Sequence, residues 1–549
     1  MRRFPQTIPL LLLMAVLLPS VADAQSPVKG TGKASWVPTR DVTPVVNAIN
    51  REWSRRLEQA QLAPADRCDD ATFLRRSALD LTGRIPALTQ LPDHHESSAL
   101  NRSADWRMQW VDSLLSSRAY AEHLARCWRR LIQPPDLSTT KSSVDRVTPW
   151  LADQFAAGRP WNELVHELLT VEVDFTRDPR GTFFAANSDL AEPQPALLAA
   201  SAGRVFLGVQ IGCAECHNHP FAEWTQQDFW GLAAYFGRTR KVSKGDFTLT
   251  EASVDGSRWK SASISIPDGS GQASGQFVAA KLLGSDQAPR VSDPLRDQLA
   301  AWIVADSNPY FAKAMVNRLW AHCMGRGLVE PLDDQRDGNE SLHPQLLQLL
   351  ADEFIASDYD IRHILRCIVL SRPYQLAGAP ASAEMQDAAY FSQHISRAMT
   401  PDVLYDSLSI AINPVITAVD STGSRPSGKP GKPGSAVELE PRDTFIRFFG
   451  RGSLDNTGDV FSYGIPQLLR LMNDQNLTGQ VSFLPDLLRL QPDPQKRIDI
   501  LYRIAYSRSA TESEQQRMLR LIGQDTESVE GYADVFWALL NSSEFLVID

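Results

Sequence analysis

The strongest constraint on this chain is the way apolar residues return every three or four positions along most of its length. In the segment 106–131, Trp110, Leu114, Leu115, Tyr120, Leu124, Cys127 and Trp128 fall on one face at helical spacing. The pattern returns over 295–319, 343–354, 361–370 and 534–546. Such stripes must be buried against other helices, so the chain is predicted to be mainly α. Thr511 with Glu514 and Thr225 with Asp228 have the spacing of a capping box and mark two helix starts. Two stretches break the rhythm. Residues 239–292 mix Ser, Gly, Thr and Asp with alternating pieces such as Ala262, Ile264 and Ile266, which predicts a small β/loop insert (241–292) joining two helical domains, 45–240 and 293–549. Residues 421–435 are Ser, Gly, Lys and Pro with little to bury, and are expected to form a disordered loop in the second domain. A weak echo links Leu114 to Tyr120, Val369 to Tyr374 and Leu539 to Phe545. It reads either as a helix end plugged by an aromatic ring or as a duplicated helical unit, and it has no fixed period.

The N-terminus sets the compartment. Arg2 and Arg3 precede an apolar run from Ile8 to Leu18, and Ala22-Asp23-Ala24 has the small-x-small form that signal peptidase cleaves. Residues 1–24 are therefore expected to be a signal peptide, followed by a flexible segment, 25–44. No Cys follows the apolar run to accept lipid, which favours the general secretory route. No later stretch reaches the about 20 uninterrupted apolar residues of a membrane span. The mature chain is expected to be exported without a transmembrane segment, as a periplasmic, cell-surface associated or secreted protein. With 55 Lys+Arg against 65 Asp+Glu the chain has a net charge of −10. Phosphate backbones repel such a protein, so nucleic acid is excluded as a partner. Six Cys in 549 residues are too few to build a disulfide scaffold.

Two of those six lie together in Cys213-Ala214-Glu215-Cys216-His217, a C-x-x-C-H motif of the kind that attaches haem c. Two thiols at this spacing reach the two vinyl groups on one edge of a porphyrin, while the adjacent imidazole turns beneath to ligate iron. Cys213 and Cys216 are thus the expected attachment residues and His217 the proximal ligand. Pro195 is placed to open a helix with Leu198, Ala202, Val205, Phe206 and Val209 on its apolar face, and Gly212 to end it. Asn218-His219-Pro220-Phe221 reads as a turn, with a second helix from Thr225. Phe221, Trp224, Phe229, Trp230, Tyr235 and Phe236 either cover a haem or form an ordinary core. Other readings stay open: zinc or another transition metal on Cys213, Cys216 and His217 or His219, a Cys213–Cys216 disulfide, or an inert pair. His219 is either a support for the site or an alternative ligand. A distal ligand could be Met315, Met324, Met399, Met472, His322 or His343, or the position could be open.

The stretch 317–337, leading to His343, ends a helix at Gly325 and Gly327 and runs into a loop dense in Asp, Arg and His. His322, Asp333, Asp334 and His343 could hold a cation or do acid–base work; the plainer reading is a solvated, ion-paired connection. Cys68, Cys127, Cys323 and Cys367 sit among apolar residues as buried thiols or disulfide partners. No nucleophile elbow, phosphate loop, dinucleotide fingerprint or His-Glu-x-x-His helix is present, so the enzyme class stays open.

Phe73-Leu74-Arg75-Arg76, Leu79-Asp80-Leu81-Thr82-Gly83-Arg84-Ile85-Pro86, Phe206-Leu207-Gly208-Val209-Gln210-Ile211, the C-x-x-C-H motif and His219-Pro220-Phe221 together resemble the planctomycete cytochrome-c-like domain. Val316-Asn317-Arg318-Leu319-Trp320, Gly325-Arg326-Gly327-Leu328-Val329, Leu350-Ala351-Asp352-Glu353-Phe354, Ile368-Val369-Leu370-Ser371-Arg372 and Ile465-Pro466-Gln467 resemble the planctomycete surface domain that follows it. Both are domains of undefined function, and the cytochrome label itself rests on the motif. Relatives often carry a separate cytochrome module ahead of the pair, for which the residues before Phe73 are too few. The resemblance itself implies little about activity; the export signal and the C-x-x-C-H motif lead to the expectation of an exported c-type cytochrome-like protein that transfers electrons to a redox partner or supports an extracytoplasmic oxidation. Two alternatives remain. One is a non-haem envelope protein with a structural Cys/His metal site that binds a partner or a polysaccharide. The other is a metal-dependent hydrolase or lyase using the 322–343 loop.

Overall fold

The computed structural model describes residues 36, 38–91, 105–132, 141–189, 192–243, 246–252, 262–268, 273–285, 287–378, 388–415, 442–450, 463–473 and 481–549. The expected signal peptide, most of the expected flexible segment and the 421–435 loop lie outside the described residues. The chain is mainly α: among the described residues 59% are helical, in 21 helices, and the sheets are all two-stranded. Its first half runs through α1 (Thr43–Ala60), α2 (Asp70–Thr82), α3 (Trp106–Leu115), α4 (Arg118–Ile132), α5 (Lys141–Ala157), α6 (Trp161–Thr170), α7 (Thr182–Ala186), α8 (Pro195–Ala202) and α9 (Gln226–Ala234). Antiparallel hairpins follow, β1 (Thr239–Ser243) with β2 (Asp246–Glu251), and β3 (Ser263–Pro267) with β4 (Ala273–Ala279). Then come α10 (Leu295–Ile303), α11 (Phe311–Met324), α12 (Pro344–Ala356), α13 (Ile361–Leu370) and α14 (Pro401–Ile412). The C-terminal region includes α15 (Arg442–Phe449), α16 (Ile465–Asn473), α17 (Leu484–Leu490), α18 (Pro494–Tyr506), α19 (Glu512–Ile522), α20 (Val529–Leu540) and α21 (Ser543–Leu546).

Three expected helices are each divided in two, for a common reason. Ser117 Oγ donates to Leu114 O (2.6 Å) and accepts from Tyr120 N (3.2 Å), closing α3 and opening α4. Asn308 Oδ1 accepts from Tyr310 N and Phe311 N at the start of α11. Ser542 Oγ accepts from Phe545 N and so separates α20 from α21. Short polar side chains here take backbone partners that a continuous helix would use. The aromatic residues of the echoed segments, Tyr120, Tyr374 and Phe545, are all buried behind the helix ends. Both expected capping boxes form, Thr225 with Asp228 and Thr511 with Glu514.

The pivot of the molecule is α2. Asp69 caps it by accepting from Thr72 N, and every residue from Phe73 to Thr82 is buried. An all-round buried helix needs partners for its charges, and its arginines find backbone carbonyls of the distant C-terminal half. Arg75 donates to Ala505 O (2.7 Å) and Phe545 O (2.9 Å). Arg76 donates to Tyr374 O, Leu376 O and Asp549 O. Leu79 and Ile85 belong to the core cluster otherwise built from α14 to α21. Val37–Asp549 accordingly form one compact unit. No helix of the described residues is long and apolar enough to cross a membrane.

Candidate functional site

The C-x-x-C-H segment is set by a helix end, a glycine and a tryptophan. Pro195 opens α8, whose Leu198, Ala199 and Ala202 are buried. The helix continues as one wide turn, Gly203–Leu207, and stops at Gly208, which has φ +64°. A Cβ there would lie 2.8 Å from Gln335 Nε2 and 3.1 Å from Ala314 Cβ, so only glycine fits both the backbone and the space. The helix therefore ends at Gly208 rather than at Gly212. Gly212 instead begins a 3₁₀ turn, Gly212–Glu215, that carries Cys213.

Within this turn Ala214 is the plug: it is fully buried, and its N–H bonds Ile211 O. Trp230 Nε1 donates to Glu215 O (3.0 Å), and Gln226 Nε2 donates to both Glu215 O and Cys216 O. Asn218 Oδ1 accepts from Gln226 N, and His219 N bonds Trp224 O. The backbone of the motif is thus pinned to α9, while Cys213, Cys216 and His217 are exposed and both thiols are unpaired.

The two histidines differ in which nitrogen is free. His217 Nδ1 lies 2.7 Å from Asn218 O. A carbonyl only accepts, so Nδ1 carries the proton and Nε2 keeps its lone pair, the arrangement used by imidazoles that ligate metals. His219 Nδ1 accepts from Phe221 N (3.2 Å), so its lone pair is already engaged. The donor set for a haem c attachment therefore fits: two free thiols and one basic imidazole nitrogen. The aromatic cover is slighter than the sequence suggested. Phe229, Trp230, Tyr235 and Phe236 are buried in the core, leaving the exposed Phe221 and the half-buried Trp224 at the surface.

The acidic loop is the brace of this segment. Arg318 donates to the carbonyls of Arg204 and Val205, holding the wide turn. Gln335 N bonds Gly208 O, Gln210 Nε2 donates to Asp333 Oδ1 (2.8 Å), and Arg336 donates to Phe221 O. Asp334 accepts from Arg336 Nε with both oxygens. His343 donates to Ala389 O beside the Tyr390 and Phe391 rings, and burial pushes its pKa down to about 4. His322 donates to Asp80 O (2.6 Å), and burial lowers its pKa as well. His322, Asp333, Asp334 and His343 thus each have a separate set of partners. Met315, Met324 and Met399 are buried in the core, and Met472 is exposed on α16. Cys68, Cys323 and Cys367 are buried free thiols, and Cys127 is a half-buried one.

Residues 48–241 match a family model described as PSCyt2, protein of unknown function (DUF1549), and residues 295–522 match one described as PSD1, protein of unknown function (DUF1553). The two matched stretches follow one another and together cover most of the chain. The motif lies in the PSCyt2 part, and the residues that brace it, Arg318, Asp333, Gln335 and Arg336, all come from the PSD1 part. No curated protein and no solved structure matches the chain.

One cluster joins Cys127 and His322, each singled out separately in the sequence, to His123, which was not. His123 and Cys127 on α4 and His322 on α11 bring their ligand atoms within 4.8 Å of one another. The one-turn spacing of His123 and Cys127 was visible, but nothing in the sequence announced that α11 would supply the third group.

Proposed function

We propose that this PSCyt2–PSD1 protein is an exported electron-transfer protein carrying haem c on Cys213 and Cys216, with His217 as the proximal ligand. The observation that carries the reading is the state of the three donors. Two unpaired, exposed thiols sit on a rigid turn beside an imidazole whose Nδ1 proton is held by Asn218 O, leaving Nε2 to face a metal. When bound, haem would supply a one-electron redox centre. The chain's own contribution is positional: Trp230 and Gln226 fix the carbonyls of Glu215 and Cys216, so the thiols and the imidazole are presented at constant spacing. Phe221 and Trp224 offer a narrow apolar surface beside them, so a haem here would keep much of its edge at the protein surface, within reach of a redox partner.

The test is an absorption spectrum with pyridine haemochrome on protein exported from a host with c-type maturation machinery. The reading expects a covalent haem signal that disappears in Cys213→Ala, Cys216→Ala. In His217→Ala the attached haem should remain with an altered iron ligand field. Protein exported and folded without haem overturns the reading.

A further inference from the structure

A second group of donors lies where α2, α4 and α11 meet, built from residues the haem reading does not use. His123 and Cys127 stand one turn apart on α4, with Cys127 Sγ 4.0 Å from His123 Nε2. The ring of His322, on α11, lies 5.3 Å from the ring of His123. His322 Nε2 donates to Asp80 O, so its basic nitrogen is Nδ1, again the pattern of an imidazole prepared for a metal. His123 is 4% exposed; its Nδ1 packs against Gly83, so Nε2 is the nitrogen that faces Cys127.

We infer that His123, Cys127 and His322 form a binding site for a borderline-soft transition-metal cation, with zinc(II) as the best match. Two imidazole nitrogens and one thiolate are donors that such an ion prefers over oxygen-seeking cations. Binding breaks the Cys127 S–H bond, and the proton leaves to solvent as the thiolate takes the metal. No electron moves. Arg130, paired through Nη1 with Asp402, holds Nη2 3.6 Å from Cys127 Sγ and offsets part of the burial that disfavours the thiolate. Metal–ligand distances of about 2.0–2.3 Å put tetrahedral donors roughly 3.5 Å apart, so the three atoms must close by about 1 Å, within the reach of side-chain rotation. Three protein ligands leave a fourth position open, as in zinc sites that bind water or substrate.

The experiment uses the full exported chain carrying Cys213→Ala and Cys216→Ala, which removes the surface thiols and separates this result from the haem question. Cobalt(II) added to this protein should give a thiolate-to-cobalt charge-transfer band at one equivalent, and zinc(II) should bleach it. Adding Cys127→Ser should abolish the band, and His322→Gln should weaken metal binding by roughly tenfold or more. Absence of the band in the parent protein, or its persistence in Cys127→Ser, overturns the proposal. If Cys127→Ser does not fold, alkylation of Cys127 in the parent, followed by peptide mass, decides. Slower alkylation with zinc supports the site, and an unchanged rate overturns it.

Discussion

Gly83 carries two constraints at once. It ends α2 with φ +67°, and a Cβ at this position would lie 2.2 Å from His123 Nδ1. Gly83→Ala should therefore cost roughly 2–4 kcal/mol, from left-handed strain together with overpacking against a buried ring. Denaturant unfolding measures this, and a loss below about 1 kcal/mol would contradict the account. The glycine was legible as part of a family-like motif; its reason was not, because the opposing ring arrives on a different helix. The same limit hid the metal cluster. Cys127 has the helical spacing of a core residue one turn after His123, and only the approach of His322 on α11 adds the second imidazole. At His217 the motif predicted the ligand, whereas the proton on Nδ1 is set by the turn that brings Asn218 O to 2.7 Å.

At the scale of elements, the brace on the wide turn Gly203–Leu207 is the most informative contact. Arg318 is half-buried, desolvation brings its pKa down to about 10, and it remains charged at neutral pH and donates to two carbonyls of that turn. Arg318→Ala strands these carbonyls and should cost roughly 2–4 kcal/mol. It should also speed amide hydrogen exchange across 203–216 more than across α18 or α20. Uniform acceleration would show that the brace has no local role. The sequence carried the helices themselves, because apolar periodicity is strong, and both capping boxes, because their residues lie three positions apart. It concealed the breaks at Ser117, Asn308 and Ser542, where one polar side chain interrupts a helix without disturbing the apolar stripe. It also concealed the purpose of the acidic loop. A row of Asp and Arg reads alike whether it does chemistry or holds a neighbouring turn, and the partners Gln210, Gly208 and Phe221 are distant in the chain.

Across the whole molecule, buried neutral histidines couple stability to pH. His343 titrates at about 4 in the fold, against an ordinary value of 6.5. Between these values the unfolded chain takes up a proton that the folded chain does not, so stability is full above pH 6.5 and is lost as pH falls toward 4. The contribution of His343 is up to about 3 kcal/mol. Burial also lowers His123, His322 and His394, which act in the same direction. His343→Gln should flatten the stability profile between pH 6.5 and 4, and an unchanged slope would contradict the assignment. The interlock of the two halves through α2 was not legible either, since Arg75 and Arg76 resemble solvated charges until Ala505, Phe545, Tyr374 and Asp549 supply their carbonyl partners. Haem attachment at the exposed donors Cys213 and Cys216 is tested by intact-mass measurement of the exported protein under denaturing conditions. A mass increased by one haem, mapped to the peptide holding Cys213 and Cys216, is the predicted result; an unmodified peptide from a host that matures its other c-type cytochromes would contradict it.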